Sequence, residues 1–345
     1  MKCKASSSLR FMVCLVVTMS LFAVPNMSQE TSKQTSKEKD EDSIKLGTTL
    51  VQVPVIVSDF GGRYITDLKG SDFALYEDGV KQEISFFGSI EEPFSAALLI
   101  DSSGSTQTQL MLIKQAAIAF VESLRPQDRV LVMAFNDSVE IMCELTNNIG
   151  VIRRAIESIK PGEFTQVYEA VYTGVWERLN DVRGRKAVII FTDGIDTAST
   201  EITQDDTLDA VVESEDVIVY PIRFSTRMDV ERKMMDRMGL ASKGKAEILK
   251  TNSIDSFREL DKVYRKADEY LYELAELSGG KVERADRITD LQSAFSRIAD
   301  ELRHQYLLGY YPLNQKKEDG MRKINIRVSR PEVKVRARPS YRTSN

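Results

Sequence analysis

Asp101, Ser103 and Ser105 place one carboxylate and two hydroxyls within five residues, directly after the apolar run 96–100. Oxygen donors of this kind suit a hard cation. Mg²⁺ takes a near-octahedral oxygen shell, keeps several waters and is usually held by one or two carboxylates. One carboxylate with two neutral hydroxyls leaves such an ion short of charge and of ligands, so it still seeks an anion. On their own these residues are equally the vocabulary of a turn or a helix N-cap. Two further segments add donors. The apolar run 186–191 ends in Thr192-Asp193-Gly194, and Thr165 stands just ahead of a helical pattern in Glu163-Phe164-Thr165-Gln166-Val167.

The elements that must position these donors are strands buried on both faces. A short unbroken apolar run followed by small polar residues and then a helical pattern is the profile of an inner strand of a parallel sheet. Ligands of open α/β sheets bind outside the carboxyl ends of the strands, where Asp101 and Asp193 both fall. Between 93 and 305 helical and strand patterns alternate, as such a sheet requires. The spacing predicts helices over 109–124, 149–159, 167–180, 270–277 and 291–304, and further strands over 130–135, 139–143, 217–222 and 281–283. Val167, Val171, Val175 and Leu179 form a core stripe, with Tyr172 and Trp176 beside it as boundary packing. The segment 223–266 is too long for a simple connection. Its charges and its methionines (Met228, Met234, Met235, Met238) predict a locally helical insertion whose methionines suit an adaptable partner surface.

The set Asp-x-Ser-x-Ser, then Thr, then Asp resembles the metal-ion-dependent adhesion site (MIDAS) of the von Willebrand factor type A (VWFA) domain family. It matches at Asp101, Ser103, Ser105, Thr165 and Asp193. The resemblance implies a doubly wound, mostly parallel Rossmann-like α/β fold. It also implies Mg²⁺ or Mn²⁺ contacted by the hydroxyls, with the carboxylates direct or through water, and a partner's Asp or Glu completing the shell. One departure stands out: Glu163 and Phe164 occupy the places where the family commonly has a Gly-Gly pair. Glu163 is either a solvated loop charge or a carboxylate leaning toward the metal.

At 345 residues the chain has length for about two domains. Residues 1–28 combine a basic start with a short apolar run, the pattern of a secretory signal peptide. Ala23 suits the last leader position, but Leu21 fits poorly two places earlier, so an uncleaved anchor stays as the alternative, and membrane contact is expected only in that case. Removing Lys2, Lys4 and Arg10 with the leader takes the formal charge from −5 to −8. A mildly acidic chain without a basic block argues against nucleic acid as partner. Cys3 and Cys14 fall in the leader, leaving Cys143 as a core strand residue with no intrachain disulfide to form. Export without disulfides points to a bacterial secreted, periplasmic or envelope protein.

Residues 29–47 are a polar, disordered tether. In 48–92 a valine-rich strand carries Pro54, which predicts an edge position, and 73–77 and 81–87 flank Asp78-Gly79 as a hairpin. Strands over 306–311, 323–329 and 333–337 follow the central region, with a turn at 319–320. Neither terminal set can enclose a core alone, so the two are expected to pack as one small β-sandwich (48–92 with 306–345) into which the domain 93–305 is inserted. Asp72-Phe73 with Tyr76-Glu77-Asp78-Gly79, and the string 305–312 with 335–339, resemble secreted bacterial VWFA-related proteins.

The expected function is a metal-dependent protein-binding module for adhesion or assembly, not an enzyme. A divalent-metal-dependent hydrolase is the alternative from another class. An aspartyl-nucleophile phosphatase needs a second acid two residues on, where Ser103 stands, and a triad would have to recruit His304, the chain's one histidine. A third reading has a metal-independent scaffold binding through the sandwich.

Overall fold

The computed structural model describes residues 50–88, 92–214, 216–238, 253–285, 287–314 and 320–342. The predicted leader and tether lie outside them, as does Asp319 of the predicted turn. The chain first lays down β1 (Val51–Asp59). Asp78 and Gly79, with φ of 49° and 83°, then turn β2 (Phe73–Glu77) back into β3 (Val80–Gln82); two positive φ values match the twist of a two-residue hairpin. The predicted strand 81–87 is broken at Glu83. β3 stays with β2, whereas β4 (Ile84–Gly88) crosses to another sheet.

The central region follows. β5 (Phe94–Asp101) is buried along its whole length and leads to α1 (Leu110–Glu122). β6 (Arg129–Phe135) and β7 (Val139–Thr146) form an antiparallel pair. α2 (Ile149–Ser158) starts at Asn148, whose side chain accepts the Val151 N–H, satisfying one of the orphan donors of the first turn. α3 (Val167–Tyr172) loosens into a π-helical turn over Thr173–Arg178. Then come β8 (Arg185–Thr192), α4 (Gln204–Glu213), β9 (Val217–Arg223), α5 (Arg227–Arg237), α6 (Ser253–Ser278), β10 (Glu283–Arg284) and α7 (Ile288–Arg303).

The six-stranded sheet has the order β10-β9-β8-β5-β6-β7, parallel except for β7 at one edge. Its inner strands are apolar on both sides because each face is covered. On one face Ile113, Phe120, Ile156, Phe295 and Ile298 pack from α1, α2 and α7. On the other, Val171, Val175, Val211, Leu271 and Leu274 pack from α3, the π turn, α4 and α6. Tyr172 and Trp176 sit partly buried at the margin of that second cluster. α6 ends in a Schellman motif: Gly279, at φ 78°, donates to the Glu276 carbonyl (3.1 Å), and Gly280 donates to Ala275 (2.7 Å).

β11 (Gln305–Tyr310), β12 (Met321–Val328), β13 (Val333–Ala337) and β14 (Ser340–Arg342) complete the chain. Together with the first strands they make two four-stranded sheets, β13-β1-β11-β4 and β14-β12-β2-β3. Val53, Val55, Val57 and Leu308 of the first share an apolar cluster with Phe73, Leu75, Ile324 and Tyr341 of the second. Buried Glu77 lies in the same region and accepts from Arg322 (2.7 Å), Tyr310 (2.6 Å) and Tyr341 (2.8 Å). The edge position expected from Pro54 is not observed, since β1 runs between β11 and β13. The physical reason is local: β13 pairs with β1 only from Val55 onward, so Pro54 faces a partner on the β11 side alone.

Among the described residues no helix is long and apolar enough to cross a membrane. Cys143 is half-buried on β7, and burial pushes its thiol pKa up. His304 caps the end of α7, stacked on Tyr64 at 4.9 Å between ring centres.

Candidate metal centre

Asp101 ends β5 and Asp193 follows the last residue of the neighbouring strand β8, so the parallel register brings both carboxylates to one end of the sheet. Both are buried. Asp101 Oδ1 accepts the Ser103 N–H at 3.0 Å, and Oδ2 accepts the Thr192 hydroxyl at 2.7 Å. Ser103 Oγ and Ser105 Oγ lie 3.1 Å apart. Ser105 also lowers the Asp193 pKa against burial, which sets the first loop beside the third. Asp193 Oδ1 accepts the Ile195 N–H (3.1 Å), and Oδ2 accepts the Thr226 hydroxyl (2.5 Å).

The loop before Thr165 is latched to the same place by its backbone. The Gly162 N–H donates to the Ser102 carbonyl at 2.8 Å, and the Gly104 N–H to the Glu163 carbonyl at 3.4 Å. A Cβ on Gly162 would stand 2.6 Å from Asn136 Cβ, so only glycine allows that approach. Asp137 accepts the N–H groups of Glu163 (3.1 Å) and Phe164 (2.7 Å). On the far side, Thr165 donates its N–H to Thr197 Oγ1 (2.9 Å), and Asp196 accepts the Val167 N–H (2.8 Å). Thr165 is buried between these ties, whereas the Glu163 side chain is exposed. Hydrogen bonds thus link Asp101 to Ser103 and Ser103 to Ser105, Asp193 stands at the next strand end, and Thr165 is brought toward them through its loop.

Burial raises the pKa of Asp101, and the Asp193 charge raises it further. Asp193 is raised too, by burial, against the hydrogen bonds from Thr226, Ile195 and Ser105. Two carboxylates in one dry place resist ionising together, and a divalent cation relieves that conflict directly. Two carboxylates with three hydroxyls fit a hard ion's preference for oxygen. Among the described residues there is no group of three or more His, Cys, Asp or Glu able to hold a metal, so the chemistry on offer is that of a hydroxyl-rich cup.

Several residues of this centre escape sequence reasoning. Thr192 was visible only as the residue ahead of Asp193, and Asp137 and Asp196 look like ordinary turn aspartates. Thr226 lies in the charged segment after β9, which has no clear periodicity.

A profile of the von Willebrand factor type A domain matches residues 96–195, a span that contains all five predicted donors. Residues 96–195 belong to a von Willebrand factor type A domain. An uncharacterized protein of Synechocystis is 31% identical over 106 residues, which is 30% of this chain and 25% of that protein. The chain's match therefore spans about a quarter of this curated relative's length. Among solved structures, the von Willebrand domain of the type V pili tip protein Mfa5 from Porphyromonas gingivalis is similar at 10% identity, covering 60% of this chain and 94% of that one, with a TM-score of 0.43. A von Willebrand factor type A protein from Catenulispora acidiphila is similar at 9% identity, covering 87% and 74%, with a TM-score of 0.43. Proximal thread matrix protein 1 of the mussel byssus, in a form with a zinc-occupied MIDAS motif, is similar at 14% identity, covering 63% and 47%, with a TM-score of 0.43. The A-type assignment rests on the profile and on the sheet order, not on these distant likenesses.

Proposed function

We propose that the A-type domain is a divalent-metal-dependent protein-binding module. Asp101, Ser103, Ser105, Thr165 and Asp193 would hold Mg²⁺ or Mn²⁺, and an Asp or Glu side chain on a partner protein would supply the remaining charge. The observation that carries this reading is the pairing of two buried carboxylates at adjacent strand ends, both with raised pKa, beside the contacting hydroxyls of Ser103 and Ser105. When bound, the ion contributes positive charge toward solvent, and the chain's own residues fix where that charge stands. Domains of this family are in general protein-binding modules, and the reading extends that to a ligand class. We read the protein as a binder rather than an enzyme: Ser103 holds the place of a phosphatase's second acid, and His304 is engaged with Tyr64 and the Asp300 carbonyl.

The two four-stranded sheets read as one β-sandwich (48–92 with 306–345) carrying the A-type domain (93–305) as an insertion. Their shared apolar cluster supports this. So does the pairing of Gly88 with Leu307, which draws the two ends of the inserted region together, the condition that makes insertion cheap. A secreted or envelope location follows from the leader expected in 1–28.

The test is a melting-temperature series in EDTA and in Mg²⁺, followed by a Mg²⁺-dependent pull-down from a native bacterial envelope with Asp193→Ala as control. Mg²⁺ should raise the melting temperature of the wild type and leave Asp193→Ala unmoved. Equal shifts in the two proteins would discard the metal assignment.

A further inference from the structure

α5 and α6 form an arm that closes on the metal centre from one side. The arm starts at Phe224, whose N–H donates to the Thr192 carbonyl at 3.1 Å. Thr226 comes next to α5, is fully buried, and donates its hydroxyl to Asp193 Oδ2. The same hydroxyl oxygen lies 2.8 Å from the hydroxyl of Tyr264, a buried residue of α6. A threonine has one hydroxyl proton, and an ionised Asp193 takes it, so Tyr264 must be the donor to Thr226. The result is a directed relay, Tyr264 to Thr226 to Asp193. α6 also presses on the turn after Asp193: a Cβ on Gly194 would meet Leu271 Cδ1 at 3.0 Å and the Ala267 carbonyl at 3.1 Å. A separate tie joins the arm to the helix behind the serine loop, since Gln109 Nε2 donates to Asp229 Oδ2 at 3.1 Å. Arg227 on α5 pairs with Asp261 on α6, so the two helices are fastened to each other where they meet the site.

We propose that Thr226 and Tyr264 are positioning residues of the metal centre, and that through them the α5–α6 arm is coupled to divalent-ion occupancy. The inference rests on the metal reading above. Outer hydrogen bonds of this kind fix the orientation of a ligating carboxylate, and their loss typically weakens metal binding 10–100-fold. Coupling is reciprocal by thermodynamic necessity: if the arm tightens metal binding, metal must stabilise the arm.

The experiment titrates the full chain with Mg²⁺ alone by calorimetry and follows amide exchange of α5 with and without Mg²⁺. Thr226→Val keeps the shape and removes the hydroxyl. It should bind Mg²⁺ about tenfold more weakly while melting near the wild type in EDTA. Thr226→Ser restores the donor and should restore affinity. Tyr264→Phe should weaken binding less, and its effect should vanish in the Thr226→Val background because both act through one chain of hydrogen bonds. Mg²⁺ should slow exchange over 227–237 in the wild type and not in Thr226→Val. If Thr226→Val does not fold, Thr226→Ser and Tyr264→Phe still decide. Wild-type affinity in Tyr264→Phe, or exchange over 227–237 indifferent to Mg²⁺, would overturn the coupling while leaving the metal site standing. A wild type that binds no Mg²⁺ would remove both.

Discussion

Thr192, the last residue of β8, gives its hydroxyl proton to Oδ2 of Asp101, the last residue of β5, at 2.7 Å. Its oxygen accepts the Gly194 N–H at 3.0 Å in turn. One side chain thus stitches two adjacent strand ends and orients one candidate ligand while bracing the turn that carries the other.

Thr192→Val should therefore act on stability and on metal together. Leaving a buried acceptor and a buried N–H without their partner costs about 1–3 kcal/mol. Urea denaturation in EDTA should show that loss, and Mg²⁺ affinity should fall in the same variant. A variant as stable as the wild type would show that Thr192 does not hold the strand ends together.

Asp101→Asn removes one of two like charges from a dry site. The amide keeps one acceptor where the carboxylate has two, so the relieved repulsion is offset by the bond lost from Ser103 or Thr192, and in EDTA the variant should melt close to the wild type. Mg²⁺ should no longer raise it. A thermal scan of the two proteins, each in EDTA and in Mg²⁺, reads both outcomes.

The pH dependence has a definite sign. Burial and the Asp193 charge push Asp101 up to about 7, against about 3.9 in an unfolded chain. The folded chain therefore keeps a proton at Asp101 that the unfolded chain releases, and the contribution of Asp101 to the stability of the metal-free protein is lost as pH rises from about 4 to about 7. Relative to Asp101→Asn, the wild type should become progressively less stable across that window in EDTA, and its gain from Mg²⁺ should grow. A Mg²⁺ increment that is flat over that range would contradict the assignment.

Gly162→Ala forces a Cβ to within 2.6 Å of Asn136. Overpacking of this kind costs about 1–3 kcal/mol, and here it must displace the Thr165 loop from Ser102. Weaker Mg²⁺ binding together with a lowered melting temperature is expected. Full affinity in this variant would mean that Thr165 contributes little.

Away from the site, Arg322→Met leaves Glu77 buried without its guanidinium partner. Breaking a buried pair from one side costs about 3–5 kcal/mol, read by denaturant unfolding, with metal affinity unchanged.

What could be read in advance follows from burial. β5 and β8 are enclosed on both faces, so they appear as unbroken apolar runs, and a carboxylate that ends such a run marks a strand terminus facing a crevice. Asp101 and Asp193 were legible for that reason as carboxylates at strand ends, whereas Ser103, Ser105 and Thr165 entered only through the resemblance to the metal-ion-dependent adhesion site. The arm was not. Helix α6 was predicted over 270–277 because Tyr270, Leu271 and Leu274 enter the core there, whereas its first turns carry exposed charge and bury little beyond Tyr264 and Ala267. α4 went unpredicted although Thr203 and Asp206 form a capping box at its start. The edge preference of proline holds for Pro54 only locally, because β13 stops one position short of it.

The antiparallel pairing of β1 with β13 decides how the protein answers tension. If residues 50 and 342 are drawn apart, β14 must first part from β12, after which the load falls on the pairing of β1 with β13. Val55 opposes Ala337 and Asp59 opposes Val333, so the tug opens the pair as a zip, rung by rung. β1 meets β11 with Val51 opposite Tyr310, the same sense of opening. In a single-molecule stretching trace the β1–β13 pairing should release at low force, and the six-stranded sheet should yield only afterwards.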